Sequence, residues 1–151
     1  MRQTAISKVI KDNIKELTEA WMGMVKEDQR IISDAQLSYV ELMDHVPAII
    51  DEISSLIEWN QQPHAKNTHE ARASVYTRLH QGYRGQDLIR EISLLRLTLL
   101  DHLATGSAKI SLDLTLDEYT RTAKIINLYL DEEMHYAISV YTSLSRQFPA
   151  N

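Results

Sequence analysis

Apolar positions recur at steps of three and four along most of this 151-residue chain, the pattern of helices that each bury one face. Ile6, Ile10, Ile14, Leu17, Trp21 and Met24 predict a first helix over 4–28, with Lys8, Lys11, Asp12, Lys15, Glu16 and Glu19 on its polar side. Ser33 and Gln36 have the spacing of a capping box, which opens a short helix through Leu37, Val40 and Met43. Pro47 ends or kinks that helix, because proline has no amide donor and restricts Val46. The period resumes at Ile49, Ile50, Ile53, Leu56 and Ile57, then lapses over 60–68, the longest loop. Asn67 with Glu70 forms a second capping box and predicts a helix over 68–81; Thr115 with Glu118 forms a third and starts a final helix that runs to about Arg146.

The most hydrophobic helix follows Gly82 and Gly85, which break the pattern and make a short turn. Seven leucines fall between Leu88 and Leu103. Leu88, Ile92, Leu95, Leu99 and Leu103 share one face while Leu94 and Leu97 cover much of the rest, so this helix is expected at the centre of a bundle. Arg96 projects close to Ile89, Leu100 and Leu103 and needs a carboxylate or carbonyl partner. Arg78 and Glu91 are equidistant from the centre of the turn, so an antiparallel hairpin sets them opposite each other. Tyr76 and Tyr83 flank this pair and are candidates to line a small pocket.

In the last helix Tyr119, Ala123, Ile126, Leu130, Met134, Ala137, Tyr141 and Leu144 follow helical steps, and Ile125, Tyr129, Tyr136 and Val140 widen the apolar arc to about half the cylinder. So wide a face is covered either partly by a second subunit, with Tyr129, Tyr136 and Val140 as the dimer-interface candidates, or by two helices of the same bundle; an end helix overhanging a small domain favours the second subunit. The expectation is a single all-α domain over 1–151, an antiparallel bundle of five to six helices with a long C-terminal helix. A chain of this length buries roughly 68–70% of its unfolded surface and needs no staple.

Composition narrows the function classes. The absence of cysteine excludes disulfides, thiolate metal sites and cysteine nucleophiles, and suits a reducing cytoplasm. The amino terminus alternates charged and apolar residues, unlike a signal peptide, and no run approaches the ~18 apolar residues of a membrane span. With 21 acidic and 16 basic residues and a net charge of −5, nucleic acid is not an expected partner.

Catalytic and cofactor chemistry finds little footing. Glu132 and His135 make one Glu-x-x-His pair, but di-iron bundles need a second, so no metal site is expected. His102, near the apolar side of the central helix, is the best-placed haem ligand, although a histidine at a helix C-terminus has a simpler role against the helix dipole. His69 opens a His-Glu-Ala-Arg sequence similar to a phosphoacceptor box, but it stands at a helix start without the proline that usually follows. Nothing fixes a nucleophile against a base, so no catalytic residue, no enzyme activity and no cofactor are expected.

Arg78, Gly82, Tyr83, Leu88, Glu91, Leu95 and Arg96 resemble the signature of the RsbRD N-terminal family, signal-input domains that precede bacterial histidine-kinase cores or stressosome co-antagonist modules. Trp21, Ser33 with Asp34, and His45-Val46-Pro47 are similar to the family in order and spacing. Two positions depart from it: Ser74 stands where the family often has histidine, and Arg84 where it has a Ser or Asp cap. The resemblance implies a regulatory domain that acts as a homodimer on a kinase or regulator module beyond Asn151. Signals would act on packing around Arg78, Glu91 and Arg96, and the last helix would carry the shift. The alternative reading is a stand-alone phosphotransfer or scaffold bundle, with His69 the first phosphate acceptor. The small molecule, gas, redox carrier or protein that would act as signal is not legible in the sequence.

Overall fold

The computed structural model describes residues 4–105 and 115–147. Among these residues the elements are α1 (Thr4–Asp12), α2 (Ile14–Glu27), a 3-10 turn (Ser33–Gln36), α3 (Tyr39–Met43), α4 (Val46–Glu58), α5 (His69–His80), α6 (Gly85–Thr105) and α7 (Leu116–Gln147). The fold is an all-α bundle ending in a long helix of 32 residues. No helix among the described residues is long and apolar enough to cross a membrane.

The expected first helix is broken into α1 and α2 at Asn13. Its side-chain amide donates to the Val9 carbonyl at 2.7 Å, the acceptor that its own backbone N–H would use in a continuous helix, and that N–H turns to Ile10 instead. This break raises the number of helices to seven among the described residues.

Local capping also differs from the sequence reading. Ser33 caps no α-helix; its hydroxyl donates to Asp87 at 2.5 Å, and a 3-10 turn forms there. The capping box is at Ser38 and Glu41, where the Glu41 N–H reaches the Ser38 hydroxyl at 3.2 Å and the Ser38 N–H reaches the Glu41 carboxylate at 3.0 Å. Pro47 sits in the first turn of α4, where a missing donor costs nothing. At the start of α5 the Asn67–Glu70 box does not form: Asn67 accepts from the His64 N–H, and the Glu70 N–H is satisfied by Glu52 of α4 at 3.1 Å. A side chain from a neighbouring helix thus does the work of a cap. At Thr115 the expected cap is present, its hydroxyl accepting the Glu118 N–H at 3.1 Å.

The turn between α5 and α6 forms as the glycines suggest. Gly82 has φ +77, the Gly82 N–H bonds Leu79 and the Tyr83 N–H bonds Arg78, the paired bonds of a Schellman ending. Gly85 has a different reason for its size: an added Cβ would stand 3.2 Å from the Tyr141 ring of α7.

In the core, α6 packs against both α2 and α7, α1 against α4, and α5 against α4 and α7. Ile49, Ile50, Ile53 and Ile57 of α4 are buried with Val25, Leu88, Ile125, Ile126 and Leu130, each such side chain contributing about 1.5–3 kcal/mol through burial. Trp21 joins α2 to α6, its indole N–H donating to the Glu91 carbonyl at 3.0 Å. The core stripe of α7 runs through Ile126, Leu130, Glu133 and Ala137, so it carries a carboxyl group into the interior.

Candidate functional site

Arg78, from the last turns of α5, is 4% exposed and uses its guanidinium in four directions. Nε donates to Glu91 Oε1 at 3.1 Å, Nη1 to the Glu41 carbonyl at 3.2 Å and Gln81 Oε1 at 2.7 Å, and Nη2 to the Leu42 carbonyl at 2.7 Å. Two of these acceptors lie in α3, whose carbonyl end is the negative end of that helix's dipole. The Tyr83 ring covers the guanidinium at 4.8 Å, a cation–π contact away from bulk water. The hairpin thus makes the predicted Arg78–Glu91 ion pair, buried on both sides.

Glu133 of α7, which the sequence reading passed over, completes the cluster. Glu91 and Glu133 are each 3% exposed, and Oε2 of each has no hydrogen-bond partner. Together with Trp21, Ser74, Arg78 and Ile92 they line an internal cavity of about 10 Å³. Burial raises the Glu91 carboxyl above its ordinary range, and the charge and hydrogen bond of Arg78 oppose that rise. Burial, reinforced by the charges of Glu91 and Glu52, pushes Glu133 up to about 8, again with Arg78 opposing. The two form one coupled acid pair. Within the pair, Glu91 is the member hydrogen-bonded directly to Arg78. Desolvation, then the nearby Glu91 charge, drives the Tyr83 phenol far above its usual range.

Two networks surround the cluster. Tyr129 donates to Glu52 Oε1 at 2.5 Å, the oxygen that also accepts the Glu70 N–H; α4, α5 and α7 are thereby held at one carboxylate. Asp87 accepts from Ile32 and Ser33 and from Arg84. Burial would raise its pKa, but the hydrogen bonds from Arg84, Ser33 and Ile32 prevail and hold it at about 2.

Several sequence candidates lie elsewhere. Arg96 finds its partners on α7, Asn127 at 2.7 Å and Asp131 at 2.6 Å, and these are separate from those of Arg78. Tyr76 does not join Tyr83 around a pocket: it is 50% exposed and meets Tyr136 edge-on at 5.8 Å, with Arg72 over the Tyr136 ring. Tyr129 is fully buried, so it belongs to the intramolecular core and is unavailable as a dimer contact; its hydroxyl had an internal carboxylate to reach. Tyr136 and Val140 are half-buried. The exposed apolar residue of this helix segment is Ile138, 56% exposed, on an open groove of about 240 Å³ beside Gly85, Ile89 and Tyr141.

The histidines gather no site. His69 and His135 are exposed, and His102 is half-buried on a surface groove with Glu16, Leu17 and Met24. Among the described residues no three His, Cys, Asp or Glu side chains are grouped to hold a metal ion. The sequence did contain a signal for Glu133: it occupies the step between Leu130 and Ala137 on the apolar stripe, whereas Glu132 and His135, which drew attention through their spacing, fall off it. Comparison with protein-family models, with characterised proteins and with solved structures gives no match to this chain.

Proposed function

We propose that this chain is a cytoplasmic signal-input domain of the RsbRD N-terminal type, regulating a histidine-kinase core or a stress-response co-antagonist module through α7. The observation that carries the reading is the convergence of α3, α5, α6 and α7 on one buried polar cluster. Arg78 bonds α3 and α6, and Glu133 brings α7 to the same cavity. A change of charge or hydrogen bonding there alters how α7 is seated, and a helix of 32 residues carries such a shift over about 48 Å at 1.5 Å per residue.

The residues of the resemblance support this reading as a set. Gly82 supplies the left-handed turn, Tyr83 covers Arg78, Leu88 and Leu95 are core, and Arg96 fastens α6 to α7. Ser74, which stands where the family pattern carries a histidine, lines the cavity. Pairing of two copies belongs to the same proposal, through Ile138 and its groove in place of Tyr129.

The test uses the full-length protein and its output activity. Arg96→Ala releases the half-exposed connection between α6 and α7 without emptying the core, so output should change while the domain stays folded by circular dichroism. An unchanged output would overturn the role given to α7. Phosphate uptake on His69 would favour the phosphotransfer reading in its place.

A further inference from the structure

The charges around the internal cavity do not balance if every group is ionised. Arg78 brings one positive charge, whereas Glu91 and Glu133 bring two carboxylates, all within residues 3–4% exposed. An uncompensated buried carboxylate is expensive, and such a group keeps its proton instead. Oε2 of each glutamate makes no geometric hydrogen bond, the similarly unpaired Tyr83 hydroxyl stands beside Glu91, and both glutamates line the cavity. Its volume of about 10 Å³ is at the lower limit for one water, for which Glu91 and Glu133 would be polar partners and Ser74 a further polar neighbour. A metal cation is disfavoured by the Arg78 guanidinium on the same wall.

We propose that Glu91 and Glu133 form a proton-binding site bridged by one water, and that release of the proton loosens α7 from the α5–α6 hairpin. The step is a proton transfer: the O–H bond of neutral Glu133 breaks, the proton passes to the bridging water and then to solvent, and a second carboxylate is left facing Glu91. Ser74, at 8% exposure, is the least buried of the lining residues. The groups facing Glu133 are Arg78 of α5, Glu91 of α6 and Glu52 of α4, with Tyr129 on α7 itself. Tyr83 and Asp34 act on the Glu91 side, and α2 contributes the neutral Trp21. Only Arg78 is positive among them, so a second anion has no counter-charge.

The sign follows from the raised pKa values, and so the weakened acidity, of both glutamates. A carboxyl whose folded value lies above its unfolded one contributes stability in full below the unfolded value and loses it as pH rises through the folded value. The window for Glu133 therefore runs from about pH 4.5 to about pH 8. The proton site rests on the buried geometry alone; its use as an input rests on the signalling reading above.

Carbon-13 NMR of the intact chain, labelled at the glutamate carboxyl carbons, tests the site. One carboxyl should remain protonated at pH 6, titrate above pH 7 and vanish from the spectrum of Glu133→Gln. Complete ionisation of all glutamates by pH 6 in the parent would overturn the proposal, whatever the folding of the variant. For the coupling, spin labels on cysteines introduced at the exposed positions His80 and Ser139 report the distance from α5 to α7. A distance distribution that shifts or broadens between pH 6 and pH 9 in the parent, and stays fixed in Glu133→Gln, supports it. Fixed distances in a parent whose Glu133 titrates would remove the motion of α7. Neither measurement involves an output module, so both outcomes are separable from failure of the signalling reading.

Discussion

Replacement of Glu91 by alanine tests the buried cluster most directly. The change deletes the charged partner of Arg78 and leaves the guanidinium with neutral acceptors, the Glu41 and Leu42 carbonyls and the Gln81 amide. Removing one member of a buried ion pair costs about 3–5 kcal/mol. Here the lower end, about 3 kcal/mol, is expected, because three hydrogen bonds remain and Glu133, across the same cavity, can ionise to replace the lost charge. At a urea sensitivity of about 1–3 kcal/mol per molar, the denaturation midpoint falls by about 1–3 M; by heat the loss corresponds to roughly 6–12 °C. With one proton held at Glu133, as proposed above, the loss should be greatest near pH 5–6, where the parent has the Arg78–Glu91 pair without a second anion beside it. It should shrink toward pH 8, where proton loss from Glu133 already weakens the parent. A midpoint indistinguishable from the parent at pH 6 would refute the argument, and so would a loss that grows with pH.

Three further substitutions test the packing around α7 and the α5–α6 turn. Tyr129→Phe removes the hydroxyl that holds Glu52 and should cost about 1–3 kcal/mol in urea denaturation; its oligomeric state by light scattering should equal the parent's, since the residue is interior. Gly82→Ala places a side chain at φ +77, where nothing crowds it, so backbone strain alone should lower stability by about 1–2 kcal/mol in the same assay. Ile138→Glu should convert a dimer into a folded monomer by sedimentation, because like charges would face each other across a two-fold contact; a parent already monomeric at high concentration would sink the proposed pairing.

Wherever one period dominated, the sequence was a sufficient guide to the fold. The all-α class, the central α6, the α5–α6 hairpin and the long α7 were all legible, because burial of one helix face constrains many residues at once. The Arg78–Glu91 pairing was legible for a related reason: a tight turn at Gly82 leaves little freedom in register. Capping was less so. Ser33 and Asn67 had the right neighbours in sequence, yet Asp87 and Glu52, distant along the chain, captured the groups on which those caps depended. Asn13 broke a helix through one side-chain bond that no apolar period records.

The wide apolar arc of α7 admits two covers, a second subunit or further helices of the same bundle, and α4, α5 and α6 all pack on that helix with Tyr129 fully buried. The arc is wide because several helices of one chain meet it. That same convergence encloses Glu133. A carboxyl on the apolar stripe of a helix covered from one side would reach water by a rotamer change; covered by three helices, it has to be neutralised or paired where it stands. Arg78 is already engaged by Glu91, so neutralisation by a proton is the cheaper state, and the titratable character of the cluster follows from the packing of α7. Replacing Ser74 by alanine should then remove a polar wall of the cavity and raise the pH at which Glu133 gives up its proton, because a less polar, less hydrated cavity disfavours the ionised carboxylate more than the neutral acid. A carbon-13 titration curve unchanged in Ser74→Ala would show that the bridge between the two glutamates does not depend on this wall.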